Sequence, residues 1–127
     1  MITEYGCDAY YENKGPNETA QAEYHLNALR DIVLNQAAGN RVGNSIGGCI
    51  FEYLDEWWKN TSSPDLRGLR HETESTWAAP FFDGRGHEEW FGIVSQGTGK
   101  HSPFERQLRK AFYLYKKYWG TYKKNLM

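Results

Sequence analysis

Glu4 is the side chain in this sequence best placed to do chemistry. It lies in Ile2-Thr3-Glu4-Tyr5-Gly6, where β-branched residues favour a strand and the glycine breaks it. A carboxylate at the carboxyl end of a parallel strand sits where α/β enzymes carry their reacting groups. There an ionised carboxylate acts as a nucleophile or base, and a protonated one as a general acid. A second acidic pair, Asp55-Glu56, follows the next predicted strand and runs on into Trp57-Trp58-Lys59. Neighbouring strands lie about 5 Å apart, so these groups are expected at one mouth with Glu4.

The elements that must hold these groups follow from periodicity. A polar loop over residues 6–16 leads to a predicted helix over 17–38. Ala22, Leu26, Leu29, Val33 and Ala37 repeat at three- and four-residue spacing, with Ile32 widening the stripe. Asn17 is placed to cap its start and Gly39 to supply a left-handed end. Residues 45–54 read as a second strand, with Gly47-Gly48 marking a close backbone approach. Strand, helix and strand make a βαβ unit, so the strands are expected to be parallel with a right-handed crossover. Residues 60–100 show no sustained period, and a loop of that length is usually functional. Within it, residues 89–94 read as a short extended piece.

Ser102, Pro103 and Glu105 then predict the start of a last helix over 102–119, as cap, first helical position and capping-box acid. Its buried stripe is expected to be Phe104, Leu108, Ala111, Phe112, Tyr115 and Trp119. Arg106, Arg109, Lys110, Lys116 and Lys117 fall mostly off that stripe and read as a solvated face. Glu52, one residue past Phe51, is expected on the opposite face in a structural role.

Composition narrows the function classes. The 127 residues fit one small domain, and 39% hydrophobic with 24% charged residues is a globular balance. A net charge of -1 gives no basic surface for nucleic acid or an acidic membrane. No apolar run reaches the roughly 20 residues of a membrane span, and the start lacks a signal-peptide core. The compartment is left open by the sequence, cytoplasmic only for the chain as it stands. Cys7 and Cys49 are too few for a disulfide framework and read as buried free thiols. His71, His87 and His101 lack metal-ligand spacing, so no metal is expected. The aromatic share is high, 16%, with five Trp, nine Tyr and six Phe. Clustered at one end of a fold, such rings form platforms for the apolar faces of sugars.

Two segments carry a family resemblance. Ile2-Thr3-Glu4-Tyr5-Gly6, together with Gly47-Gly48-Cys49-Ile50-Phe51-Glu52-Tyr53-Leu54-Asp55-Glu56, resembles the end of the catalytic barrel of retaining β-glycosidases. The closest likeness is to glycoside hydrolase family 2, the β-galactosidase and β-glucuronidase family. In that family a Thr/Ser/Cys-Glu-Tyr segment ends the seventh barrel strand. The eighth carries Gly-Gly-x-aliphatic-Trp-acidic-aromatic-aliphatic-Asp. Here only the Trp is missing, replaced by Phe51. The segments 55–59 and 89–92 look like its active-end loops, and 102–119 like its last barrel helix.

The resemblance implies an α/β fold: a partial TIM barrel comprising the last two βα units, as strand, helix, strand, long loop and helix, with 1–127 a single partial domain. It implies hydrolysis of β-linked O-glycosides, with Glu4 as catalytic nucleophile. Tyr5, Phe51, Asp55, Glu56, Trp57, Trp58 and Trp90 would be substrate-binding residues, and no cofactor is implied. The family's acid/base Glu follows an Asn after the fourth strand, and no segment here corresponds to it; Asn17-Glu18 stands at a helix start instead. The isolated chain is therefore expected to turn over little. Two strands leave open edges, so self-association or docking to an upstream barrel fragment is expected. The alternative is a non-catalytic carbohydrate-binding or oligomerising barrel fragment.

Overall fold

The structure, a computed structural model, describes residues 1–37, 39, 41–56, 58–59, 71–75, 77–97 and 105–124, with side chains through 121. Strand β1 (Ile2–Tyr5) is followed by a small antiparallel pair, β2 (Tyr10–Tyr11) with β3 (Gly15–Pro16). Helix α1 (Glu18–Leu34) returns the chain to β4 (Gly48–Ile50), which pairs with β1 in parallel. Beyond a 3₁₀ turn at Glu88–Trp90 come β5 (Val94–Ser95), β6 (Gln107–Leu108) and helix α2 (Lys110–Lys124). The strand–helix–strand unit and its parallel pairing are as expected, and the molecule is a mixed α/β fold.

Asn17 caps α1 by accepting a 3.1 Å hydrogen bond from the Ala20 amide. The far end differs from expectation. The helix stops at Asn35, whose own side chain bonds back to the Asp31 carbonyl at 2.9 Å, so Gly39 plays no part in ending it. The buried face is Ala20, Gln21, His25, Leu29 and Ile32, and Ala37 of the predicted stripe is exposed. Gln21 and His25 were invisible to a hydrophobic period. Each is held inside by polar partners, which is what makes its burial tolerable.

The second strand is shorter than the predicted 45–54. After Phe51, whose amide still donates to the Tyr5 carbonyl, the chain leaves β1 and pairs instead with the segment after the 3₁₀ turn. There the Ile93 and Val94 amides donate to the Glu52 and Tyr53 carbonyls, both at 2.9 Å. The predicted extended piece thus exists, offset to Val94–Ser95. Gly48 does mark a close approach: a Cβ there would lie 2.9 Å from Ile32 Cδ1 and 3.0 Å from the Tyr5 ring.

The last helix starts eight residues later than the capping signal indicates. Gln107–Leu108 is extended, paired with Val94–Ser95, so Leu108 is exposed rather than in a helical stripe. Ser102, Pro103 and Phe104 lie outside the described residues. Ala111, Phe112 and Tyr115 face inward as expected, whereas Trp119 is exposed. Arg109 is another correction. It is buried, because the Asp55 carboxylate pulls it inward. Cys7 is a buried free thiol, but Cys49 is exposed.

The core is Leu29, Ile93, Val94, Ala111 and Tyr115, with Tyr5, Ile50 and Phe112 packed against it. Both helices therefore cover the same face of the β1–β4 pair.

Candidate functional site

Tyr5 fixes how Glu4 is presented. Its hydroxyl lies 2.9 Å from the Tyr115 hydroxyl, which lies 3.0 Å from Nδ1 of buried His25. This chain of contacts ties β1 to both helices and turns Tyr5 away from any mouth. Burial lifts the Tyr115 phenol and lowers the His25 imidazole to about 4, so His25 is neutral at pH 7. The register against β4 slips between Ile2 and Tyr5, the stretch that holds Glu4, and the Glu4 side chain is exposed.

Phe51 stands beside it. The Phe51 amide donates to the Tyr5 carbonyl at 2.8 Å, and a Cβ on Gly6 would collide with the Phe51 carbonyl. The glycine after Glu4-Tyr5 is therefore required by the approach of the second strand's end. The half-buried Phe51 ring packs edge-on against Phe91 at 5.7 Å, and the Lys59 ammonium lies 5.4 Å from the ring centre.

Lys59 gathers acids around this end. It pairs with Glu56 at 2.5 Å and Glu88 at 2.7 Å. Burial alone would lower its pKa, but hydrogen bonds to those two carboxylates outweigh it and hold the ammonium charged. Glu52 shares the cluster. Burial first, then the neighbouring Glu56 charge, pushes its carboxyl up to about 8, with Lys59 opposing. One Glu52 oxygen is enclosed without a hydrogen-bond partner. Sequence reasoning gave Glu52 a structural role by strand alternation. Alternation ends where the chain leaves β4, and the acid-rich spacing of Glu52, Glu56 and Glu88 was the available signal.

Asp55 and Trp90 are not at the surface. Asp55 is fully buried, with Arg109 Nη1 on Oδ1 at 2.5 Å, Nη2 on Oδ2 at 2.8 Å, and His71 Nε2 on Oδ2 at 3.0 Å. Arg109 also donates to the Gly92 and Trp90 carbonyls. Trp90 stacks on His71 at 4.2 Å and Tyr10 at 4.7 Å, and its Nε1–H donates to the Glu72 carbonyl at 2.7 Å. Such a fork-to-carboxylate contact fixes geometry on both sides. Here it locks the loop after β4 to the start of α2, so Asp55 and Trp90 support the mouth from behind. Trp58 is 48% exposed. Trp57 lies outside the described residues.

Of the expected site residues, Glu4, Phe51 and Glu56 lie toward the carboxyl end of the parallel pair, with Lys59 against Glu56 and the Phe51 ring. The fold sets Tyr5, Asp55 and Trp90 behind them. Among the described residues no group of three or more His, Cys, Asp or Glu could hold a metal ion, and no helix is long and apolar enough to cross a membrane. Comparison with protein-family models, with curated proteins and with solved structures returned no match.

Proposed function

We propose that this chain is the nucleophile-bearing end of a (β/α)₈ retaining β-glycosidase barrel, with Glu4 as the attacking carboxylate. The observation that carries the reading is the exposed Glu4 at the end of β1. It lies one residue before Tyr5, whose carbonyl accepts from the Phe51 amide where the parallel partner strand ends. In this chemistry Glu4 attacks the anomeric carbon and forms a glycosyl ester as the aglycone leaves. Water then hydrolyses that ester with net retention. The second carboxyl group must stand about 5–5.5 Å from the first to protonate the leaving oxygen. By the family pattern that acid comes from a segment outside this sequence. Trp58 and Phe51 supply apolar surface for the sugar, and Lys59 orders Glu56 and Glu88 around it.

The test is hydrolysis of aryl β-glycosides by this chain combined with a segment supplying the first six strands of a β-glycosidase barrel. Turnover that falls to background in Glu4→Gln supports the assignment. Wild-type-like turnover by Glu4→Gln removes it. Glycan binding without hydrolysis, unchanged by Glu4→Gln, favours the non-catalytic alternative, to which the exposed aromatics Tyr53, Trp58 and Trp119 also lend themselves.

A further inference from the structure

We propose that Trp77 is a sugar-stacking platform set apart from Glu4, and that the substrate is accordingly a β-linked oligosaccharide chain rather than a simple glycoside. The inference rests on the reading of Glu4 and Phe51 as one end of a glycosidase mouth, and extends it outward. Residues 77–86 fold back on themselves. The Gly86 amide donates to the Trp77 carbonyl at 3.3 Å, Ala78 bridges Arg85 in antiparallel fashion, and the Ala79 amide donates to the Gly84 carbonyl at 3.1 Å. Trp77 stands at the open end of this hairpin. Its ring lies over Gly86, where even a Cβ would collide with the indole. The Ser75 hydroxyl, 2.8 Å from the Trp77 carbonyl and 2.6 Å from the Gly86 carbonyl, ties the two residues together. Main chain thus backs the ring, while the residue stays 40% exposed.

The hairpin is fastened to the segment that follows β1. The Asp83 carboxylate accepts from the Glu12 amide at 2.9 Å, and the Glu12 carboxylate lies 3.7 Å from Arg85 Nε. Buried Asp8 accepts from the His87 amide at 2.7 Å. Both segments come after the carboxyl ends of parallel strands, the side on which barrel enzymes bind substrate. A row of rings leads from the mouth to the hairpin. Phe51 meets Phe91 at 5.7 Å, Phe91 meets Phe81 at 5.5 Å, and Phe81 meets Trp77 at 6.2 Å, each edge to face. Two rings thus stand between Phe51 and Trp77, which fits them to different sugar units of one chain. The apolar face of a β-linked pyranose matches the flat indole. A ring already fixed in place loses little freedom when a sugar stacks on it.

The test is titration calorimetry of the chain with β-linked hexaoses of glucose, mannose and xylose, and with the methyl β-glycosides of the same sugars. At least one hexaose is expected to bind, and the methyl glycosides to leave no signal at the same concentrations. Trp77→Ala is expected to weaken hexaose binding about tenfold, the scale of one aromatic contact, and Trp77→Phe to keep most of it. Gly86→Ala keeps the indole but displaces it, so it is expected to weaken binding as Trp77→Ala does. Circular dichroism checks that each variant folds, and Tyr113→Ala, at an exposed tyrosine of α2, is expected to bind as wild type. Glu4→Gln is expected to bind hexaose unchanged, so a failed nucleophile assignment leaves the platform standing. Absence of binding to every hexaose overturns the inference. So does binding that a folded Trp77→Ala leaves unaltered, or a methyl glycoside that binds as tightly as its hexaose.

Discussion

Asp55 and Arg109 show how a residue's role depends on what the chain folds around it. In the sequence Asp55 is an acid beside two tryptophans, and Arg109 one cation of a basic run. In the fold each is the other's partner, buried and joined at 2.5 and 2.8 Å. Removing one partner of such a pair strands a charge, which costs about 3–5 kcal/mol. Arg109→Leu is therefore expected to lower stability to urea by that order, with exposed Arg106→Leu as a near-neutral control. The titratable groups make a second prediction at this scale. Burial raises Asp8 to about 7, Glu72 to about 7 and Glu52 to about 8. Each folded-state carboxyl holds its proton longer than in the unfolded chain, so its contribution to stability is lost as pH rises from about 4 to 8. His25, lowered to about 4, acts oppositely, losing stability as pH falls from about 6.5 to 4. His87 is lowered by burial too, so the three acids outweigh two histidines. The urea midpoint is expected to fall between pH 5 and pH 8, and Glu52→Gln with Glu72→Gln to flatten that slope. A midpoint rising over this range would contradict the burial of these acids.

Elements were legible where one local signal decided them. Asn17 announced the start of α1, and Gly48 announced a close approach, while nothing lies within 4 Å of a Cβ on Gly47. Asn17→Ala is expected to cost about 1 kcal/mol in thermal unfolding, the usual loss for a helix cap. Gly6→Ala is expected to cost more, about 2–3 kcal/mol. A methyl there collides with the Phe51 carbonyl and must part β1 from the end of β4. The illegible elements were those decided by distant partners. The signal at Ser102, Pro103 and Glu105 lost to the pairing of Gln107–Leu108 with Val94–Ser95. Gln21 broke the apolar period of α1, yet it sits inside because its amide donates to the Cys7, Phe91 and Gly92 carbonyls. No local window contains those carbonyls. The site divides in the same way. Glu4 and Phe51 were placed by strand signals, whereas Glu52 and the Asp55–Arg109–His71 contact needed the tertiary fold.

At the scale of the whole molecule, both helices pack into one core with β1 and β4, and Glu4 stays exposed on β1. On the proposed reading, a closed barrel would enclose Glu4 in a pocket that strengthens charge interactions. Trapping the covalent intermediate tests this most directly. A 2-deoxy-2-fluoro-β-glycoside bearing a dinitrophenolate leaving group needs no protonation, so the missing acid does not block the first step. With the chain joined to an upstream six-strand segment, one equivalent of dinitrophenolate should be released and a single sugar ester should map to Glu4. An adduct on another residue, or equal release by Glu4→Gln, would contradict the account.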